Sequence, residues 1–323
     1  MYTSEFVSPM HPDKICDRIS ALILDECLKQ DPDSRVAIET LGGHKKIVVM
    51  GEITTKANID FQELIQKEIN DSSFEIITNI SKQSPSIAQG VAIGGAGDQG
   101  IMLGYACSDT QNLMPLEYEL ARSLCKFIFN KYPFDGKTQI TISGNKIIID
   151  IVVSFQNVSK DILKSLVLSW LQEQNLDFQN INFWINESGD WNQGGFDSDT
   201  GLTGRKIVID SYGPRIPVGG GAFSGKDSTK VDLSGALMAR KVAVEMLKST
   251  DSKEALVEVA YAIGKPEPLA VKIKINGLVT KVSQDIIDRF QPNNIIKELE
   301  LKKPQFKELS KWGHFGNDNL WDK

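Results

Sequence analysis

The sequence predicts an α+β protein of three similar units, each an antiparallel sheet covered on one face by helices. Helical patterns of apolar residues begin near residues 12, 116 and 230, about a third of the chain apart. Each pattern is followed by two β-runs with turn residues between them. The composition, 41% hydrophobic and 24% charged over 323 residues, is that of an ordinary globular protein with a substantial core.

The first unit is expected over residues 1–100, after a short N-terminal tail. Ile15, Ile19 and Ile23 are spaced for one face of a helix over residues 12–29, and Pro12 suits its first position. The remaining elements of this unit are strands 35–41 and 45–54 joined by Gly42-Gly43-His44, a helix over 60–70 and a strand over 74–80.

The second and third units repeat that order over residues 101–200 and 201–323, and we expect the three units to interleave. The second contains helix 116–131, strands 138–143 and 146–155, helix 160–174 and strand 181–185. The third contains helix 230–247, strands 255–263 and 269–276, and a helix over 283–290. The units share a pattern and no clear sequence identity, so the repeat is a prediction from periodicity alone.

Charge and composition exclude several classes of function. A formal net charge of −6 argues against nucleic acid as a general partner. No apolar run approaches the ~18 residues of a membrane span, and no signal peptide is recognisable, so a cytoplasmic protein is expected. The four cysteines form no C-x-x-C pair and are expected to be buried thiols: Cys16, Cys27, Cys107 and Cys125.

A glycine-rich stretch, residues 219–225, precedes Lys226 and Lys230 and is typical of a site where backbone N–H groups approach an anion. Its frame fits the first seven positions of a P-loop, but Asp227 stands where that motif needs a hydroxyl. A surface turn capping the next helix is the alternative. Residues 205–241 include seven basic residues and three Asp. The resulting local charge of +4 favours a polyphosphate site with metal ions.

Other candidates are individually weak. His11 and Asp13 lie at a helix N-terminus, which favours anions, although a helix end with no further role explains Asp13 as well. Glu39 and Glu52 are either solvent-facing strand residues or carboxylates directed at an ammonium or a metal ion. Trp191 could stack on a base or pack in the core.

Motifs for covalent catalysis do not occur. The sequence contains no nucleophile elbow, no paired-histidine metal motif and no spacing that suggests a Cys/His dyad. A reaction here should therefore depend on positioning and on neutralisation of charge.

Ten short motifs resemble those of the S-adenosylmethionine synthetase (methionine adenosyltransferase) family, in the family's order across nearly the whole chain. They are HPDK (11–14), GEITT (51–55), KQSP (82–85), GAGDQG (95–100), DGKTQ (135–139), GLTGRK (201–206), GGGAFSGKD (219–227), KVD (230–232), YAIG (261–264) and GHFG (313–316). GGGAFSGKD and GAGDQG are highly specific.

The resemblance implies a pseudo-threefold fold and a homodimer, often paired into a tetramer, with active sites between subunits. It implies that the sulfur of L-methionine attacks C5′ of ATP, and that the released triphosphate is hydrolysed to pyrophosphate and phosphate. A thioether needs no general base, so the lack of a catalytic dyad agrees with this reaction. The developing charge on the triphosphate would be stabilised by Lys, Arg and Mg²⁺.

The resemblance also implies roles for single residues. His11, Arg205 and Lys226 would be catalytic. ATP contacts would come from His11, Asp135, Lys137, Trp191, Asp199, Arg205, Lys206, Ala222 and Lys226, with Trp191 where the family has a Phe stacked on adenine. Methionine contacts would come from Glu52, Gln83, Asp199 and Lys230, with Asp98 nearby. Asp13 and Asp232 would hold Mg²⁺, and Glu39 would bind K⁺.

Three residues depart from the commoner family pattern: Asp190 replaces a basic residue, and Val218 and Asn157 each replace a histidine. The loop over residues 84–100, which resembles the family's gate over the site, is several residues shorter than usual. An ATP-dependent phosphotransferase, which would release ADP, and a non-catalytic nucleotide-binding subunit are the alternative functions.

Overall fold

The computed structural model of the protein describes residues 1–83, 94–177 and 179–323. In chain order, the first half contains β1 (Tyr2–Val7), α1 (Pro12–Gln30), β2 (Arg35–Gly43), β3 (Lys46–Thr54), α2 (Phe61–Ile69), β4 (Glu75–Ser81), β5 (Gly100–Cys107), α3 (Leu116–Phe129), β6 (Gly136–Ile142), β7 (Ile148–Phe155), α4 (Lys160–Glu173) and β8 (Asn182–Ile185). The second half contains β9 (Gly201–Leu202), α5 (Ile207–Asp210), α6 (Val231–Thr250), β10 (Glu254–Tyr261), β11 (Ala270–Ile275), β12 (Leu278–Thr280), α7 (Gln284–Arg289), α8 (Pro292–Glu298) and α9 (Phe306–Trp312).

These strands form three four-stranded sheets, with the orders β4-β3-β2-β9, β1-β6-β7-β8 and β12-β11-β10-β5. Each sheet packs against a long helix: α1 on β2, α3 on β1 and β6, and α6 on β5 and β10. The mixed α and β architecture with three sheets and covering helices confirms the predicted fold class.

Strands from distant parts of the sequence share sheets. β1 lies beside β6, β5 pairs with β10, and β9 pairs with β2 at Leu41 and Gly42. Each sheet therefore contains one strand from outside its main run of sequence. The exchange of β9 brings the segment near residue 201 next to β2, and α1, which begins near residue 11, packs against both strands.

The structure differs from the prediction in several places, and it adds six elements that were not predicted: β5, β9, β12, α5, α8 and α9. The first residues are not a tail, because β1 pairs antiparallel with β6 through the register Tyr2 to Ile142. The sheets are also not purely antiparallel, since β4 runs parallel to β3 and β8 parallel to β7. Both parallel strands follow a helix, α2 or α4, and a helical crossover returns the chain in the same direction.

The core is made by the apolar faces that periodicity predicted. Ile19 and Ile23 of α1 are fully buried, as are Leu124 of α3 and Val244 of α6. All four cysteines are free and buried, as expected. No helix of the described residues is long and apolar enough to cross a membrane.

Candidate active site

The N-terminus of α1 carries the first group of predicted site residues. His11 is the N-cap, and its Nδ1 accepts the Asp13 backbone N–H at 3.1 Å, so the neutral ring carries its proton on Nε2. Burial, helped by the Lys206 and Lys137 ammonium groups, lowers the pKa of His11 to about 3. The imidazole is therefore neutral near pH 7 and offers one N–H donor.

Asp13 joins this helix end to the GLTGRK segment. Its carboxylate accepts Lys206 Nζ at 2.6 Å and the Leu202 backbone N–H at 2.9 Å, and Arg205 Nε lies 3.5 Å away. Burial alone would raise the pKa of the Asp13 carboxyl, but the Lys206 and Leu202 hydrogen bonds outweigh it and the pKa is lowered. Asp13 is thus an ionised carboxylate beside two cations.

A cavity of about 190 Å³ opens at this helix end. It is lined by the predicted ATP residues His11, Asp135, Lys137, Trp191 and Asp199, which come from four separate parts of the chain. Five side chains that the sequence scatters over 189 residues, from 11 to 199, therefore meet around one opening.

Two of these side chains are fixed by hydrogen bonds. Trp191 Nε1 donates to Ser154 Oγ at 3.1 Å, and Asp135 Oδ2 accepts the Gly195 backbone N–H at 2.9 Å. Asp135 is only 8% exposed, and burial raises its pKa despite the Gly195 hydrogen bond. The indole ring of Trp191 is therefore held in place at the edge of the cavity.

The glycine-rich segment forms a second group. Lys226 Nζ lies 2.5 Å from Asp232 Oδ2, and the Gly221 backbone N–H donates to Asp232 Oδ1 at 2.9 Å. Gly225 adopts φ +80°, and a Cβ there would lie 2.1 Å from the Ile38 carbonyl oxygen. The segment is thus a tight loop closed on the first turn of α6, and glycine is required where it meets β2.

One edge of β2 holds both the glycine-rich loop and the GLTGRK segment. The Val36 N–H donates to Asp227 Oδ2 at 2.7 Å and the Ile38 N–H to the Gly225 carbonyl at 3.0 Å. Further along, the Thr40 N–H donates to Thr203 Oγ1 at 3.0 Å. Asp227, which spoils the P-loop pattern, therefore anchors the loop to the sheet and also pairs with Lys230.

The two segments touch where Gly204 meets Ala222. A Cβ on Gly204, whose φ is +81°, would lie 2.4 Å from the Ala222 Cβ. Arg205 and Lys206 follow this contact on one side, and Lys226 follows on the other. Three basic side chains predicted to bind phosphate are consequently carried by backbone segments in direct contact.

Glu39 and Glu52 lie on the outer face of the first sheet. Glu52 is paired with Ala37 and Glu39 with Met50, so both carboxylates share one face. Although the Glu39 side chain is exposed as a whole, desolvation of its carboxyl raises its pKa; Lys226 opposes this shift and Glu52 adds to it. The structure therefore places Glu39 within electrostatic reach of both Lys226 and Glu52.

Gln83 and Asp98 stand apart from these groups. The Gln83 backbone N–H donates to Thr54 Oγ1 at 3.3 Å, and its buried Oε1 has no hydrogen-bond partner among the described residues. Asp98 is exposed and accepts the N–H of Gln99. Most of the predicted gate, residues 84–93, lies outside the described residues.

A larger cavity, about 930 Å³, lies between residues 31–35, 54–56 and 293–303. None of the predicted site side chains lines it. We assign the candidate site to the smaller opening, because charged side chains with defined hydrogen bonds converge there.

Two of the three departures from the family pattern, Asp190 and Asn157, have structural roles here. Asp190 Oδ1 accepts the Lys160 backbone N–H at 2.8 Å at the start of α4 and Asn186 Nδ2 at 3.1 Å. The Asn157 N–H donates to the Trp191 carbonyl at 2.9 Å, and Asn157 has a φ of +60°. Both residues therefore stabilise the turn that carries Trp191.

Sequence reasoning missed several residues that hold the site together. Asp17, one turn after Asp13 on α1, accepts the Gly204 N–H, and Ser154 holds Trp191. The i, i+4 spacing of the two carboxylates was a usable signal for Asp17, because both then point the same way from the helix. Ser154 carried no such signal, since its pairing with Trp191 is set by the fold.

The carboxylates fit a metal ion held jointly with a substrate. Among the described residues no three or more His, Cys, Asp or Glu side chains cluster as a metal site. Asp13 and Asp232 instead pair with Lys206 and Lys226. Mg²⁺ is commonly bound by one or two carboxylates together with water and substrate phosphates, a donor set that these residues match.

Comparisons with known proteins cover the whole chain. Models of the N-terminal, central and C-terminal domains of S-adenosylmethionine synthetase match residues 1–91, 93–191 and 193–323. S-adenosylmethionine synthases of Fusobacterium nucleatum and Brachyspira hyodysenteriae are each 40% identical, over 100% of this chain and 95% of their own.

Solved structures give the same result. The chain superposes with a TM-score of 0.88 on a structure described as an unusual S-adenosylmethionine synthetase from Campylobacter jejuni. The two are 30% identical, with 100% of this chain and 96% of the other covered. On the match of all three domains and 40% identity over its full length, this chain belongs to the S-adenosylmethionine synthetase family.

Proposed function

We propose that this protein synthesises S-adenosylmethionine from ATP and L-methionine and hydrolyses the triphosphate to pyrophosphate and phosphate. The observation that carries the proposal is that His11, Lys137 and Trp191 converge around one cavity. The ion pair between Asp13 and Lys206 lies next to it. An aromatic ring suited to stacking on a base and cations suited to binding phosphate therefore lie near a single opening. Membership of the family supports the same reaction.

In the proposed reaction the methionine sulfur forms a bond to C5′, and the C5′–O bond to the triphosphate breaks. The electron pair of that bond leaves with the triphosphate oxygen. Arg205, Lys206 and Lys226 would stabilise this charge, and the Nε2–H of neutral His11 would donate a hydrogen bond to it. Because the donors are positioned by backbone contacts before substrate binds, little reorganisation is needed at the moment of reaction.

Trp191 would stack on adenine, with Asp135, Asp199 and Ala222 completing the ATP site. Glu52, Gln83, Asp199 and Lys230 would bind methionine. An ammonium group suits the exposed carboxylate of Glu52, and Lys230 is already ion-paired with Asp227 near the glycine loop. These assignments follow from the family resemblance and are compatible with the positions of the side chains.

Metal ions are used by the family, and we propose Mg²⁺ at Asp13 and Asp232 and K⁺ at Glu39. When bound, Mg²⁺ would neutralise charge on the triphosphate. Desolvation raises the pKa of the Glu39 carboxyl, Lys226 opposes this shift and Glu52 adds to it, so a bound cation would favour the ionised carboxylate. A monovalent cation there would supply that charge.

We further propose a cytoplasmic homodimer, or a tetramer of two such dimers, with sites shared between subunits. The outer face of the first sheet exposes Leu41 (44%), Met50 (49%) and Ile77 (40%) beside Glu39 and Glu52. Exposed apolar side chains on a sheet face are typical of an interface. A partner on this face would lie directly against the proposed methionine and K⁺ residues.

Product analysis tests the reaction. Incubation with ATP, methionine, Mg²⁺ and K⁺ should yield S-adenosylmethionine with equal amounts of phosphate and pyrophosphate. Release of ADP would favour the phosphotransferase alternative, and tight ATP binding without methionine-dependent turnover would favour a non-catalytic subunit. Neither alternative is favoured. The phosphotransferase leaves Glu52 and Gln83 without a role, and the presence of the polyphosphate and metal residues argues against a subunit that has lost turnover.

A further inference from the structure

A chain of buried charges lies behind the GLTGRK segment. Lys14 of α1 donates to Asp17 Oδ2 at 2.9 Å and to Asp210 Oδ1 at 2.6 Å. The three residues are 1%, 0% and 1% exposed, respectively. Replacing a buried ionic triad by apolar residues is often neutral or stabilising, so stability alone is a weak reason for two carboxylates and an ammonium here.

The triad reaches the phosphate-binding segment through one backbone group. Asp17 Oδ1 accepts the Gly204 N–H at 2.8 Å, immediately before Arg205 and Lys206. One turn earlier on the same helix, Asp13 accepts the Leu202 N–H at 2.9 Å. The two carboxylates of α1 thus fix alternate amides of the segment that carries Arg205 and Lys206.

The backbone conformation of Gly204 decides the direction in which the chain continues to Arg205 and Lys206. Its φ of +81° lies in the left-handed region, and a Cβ at this position would lie 2.4 Å from the Ala222 Cβ. Glycine is conformationally permissive, so its backbone keeps one orientation only if its neighbours impose it. The carboxylate of Asp17 provides that constraint through its hydrogen bond with the Gly204 N–H.

Lys14 helps to keep the Asp17 carboxyl ionised, so that it can accept the Gly204 N–H. Burial raises the pKa of the Asp17 carboxyl, and the Lys14 ammonium counteracts that shift. A protonated Asp17 could present an O–H toward the Gly204 N–H, which is also a donor. The ammonium of Lys14 therefore favours the acceptor form of Asp17.

We propose that Asp17, held by Lys14, is a positioning residue for the reaction: it fixes the Gly204 backbone and thereby directs Arg205 and Lys206 at the triphosphate. This inference rests on the proposed function for its catalytic consequence, and on the geometry alone for its effect on polyphosphate binding. Asp17 itself touches no substrate.

The chain provides a matched pair of variants. Asp17→Asn and Asp210→Asn each remove one carboxylate partner of Lys14, so both variants perturb the same buried ionic cluster. In Asp17→Asn the amide oxygen should turn to the Lys14 ammonium, because that charge-assisted bond is the stronger, and present its NH₂ to the Gly204 N–H. Only this variant replaces the acceptor at Gly204 with a donor.

The measurements are inorganic tripolyphosphate binding by calorimetry, steady-state kinetics and the thermal unfolding midpoint. For Asp17→Asn we expect tripolyphosphate affinity to fall by about tenfold and turnover by about 10²-fold, with the methionine KM changed less than about threefold, on the scale of a misplaced catalytic group. Asp210→Asn, which also removes the carboxylate 3.7 Å from His314 Nδ1, should lower the midpoint too but affect tripolyphosphate affinity much less. Equal effects of the two variants on affinity and turnover would overturn the proposal.

Two outcomes separate this inference from the proposed function. If the wild-type protein makes no S-adenosylmethionine, the proposed function fails, and the tripolyphosphate comparison still tests the role of Asp17. If Asp17→Asn does not fold, Asp17→Glu replaces it: the ion pair with Lys14 remains but the acceptor moves by one methylene. Weaker tripolyphosphate binding with a near-native midpoint supports the proposal, and native affinity contradicts it.

Discussion

Lys226 Nζ lies 2.5 Å from Asp232 Oδ2, within the loop and helix start that we propose as a phosphate and metal site. The ammonium and the carboxylate neutralise each other, and both are largely shielded, with side chains 17% and 12% exposed. Binding of a magnesium triphosphate would separate this pair, because the metal takes the carboxylate and the phosphate takes the ammonium.

Lys226→Ala should therefore slow turnover by about 10²- to 10³-fold, the scale of losing one preorganised oxyanion donor. The methionine KM should change little, since Lys226 is assigned to the leaving triphosphate. Steady-state kinetics with each substrate varied will measure both effects. Lys274→Ala, which breaks an ion pair with Glu258 at 2.7 Å on a different sheet, is the control. A Lys226 variant with native turnover and weaker methionine binding contradicts this role.

The pKa of His11, lowered to about 3 by burial and the nearby Lys206 and Lys137, predicts a pH dependence of stability. The unfolded state, with a His pKa near 6.5, binds more protons than the folded state between these values. The free energy of unfolding should therefore rise with pH through this window, with His11 adding up to about one proton to the slope. Denaturant titrations from pH 4 to 7 should show a shallower slope for His11→Asn. A slope for His11→Asn equal to that of the wild-type protein would contradict this assignment.

Replacement of Trp191 should affect ATP binding selectively. Loss of one stacked base typically costs about 1–3 kcal/mol, so Trp191→Ala should weaken ATP binding by that amount while Trp191→Phe retains most of the affinity. Calorimetric titration with a non-hydrolysable ATP analogue will measure this. Trp184→Ala is a matched control, because its indole also donates to one side chain, Asp150, and is 47% exposed. Equal losses in the Trp191 and Trp184 variants would show that Trp191 does not contact the base.

The outer face of the first sheet predicts how the protein assembles. Met50→Lys should convert dimers to monomers, since an unpaired ammonium would be buried in the proposed interface. Activity should fall together with dimer content if the sites are shared. Sedimentation velocity and activity assays on the same samples will test this. The control is Leu278→Lys, because the Leu278 side chain on β12 is 75% exposed. A wild-type protein that is fully active as a monomer would refute the shared site.

Elements with their own periodicity could be predicted from the sequence, and elements defined by a distant partner could not. The helix predicted over residues 12–29 is observed as Pro12–Gln30 because its apolar stripe and its N-terminal proline are local signals. β1 has partly polar sequence, and it is a strand because β6, over a hundred residues later, pairs with it. No local pattern contains that information.

The candidate site shows the same division. Motifs identified Asp13, Lys206, Lys226 and Asp232, yet only the structure shows that they form two ion pairs on touching segments. Asp17 escaped notice because its one local signal, the i, i+4 spacing from Asp13, does not reveal which group it contacts. Its function depends on the Gly204 amide, 187 positions away in sequence.

The edge of β2 has a consequence for the dynamics of the protein. Val36, Ile38 and Thr40 donate their amides to residues 225–227 and to Thr203, so one strand edge holds two segments that are distant in sequence. Local opening of that edge would release both at once, as one cooperative unit. Hydrogen exchange at these three amides would then slow together when either segment is stabilised by a ligand, even if that ligand touches only one of them.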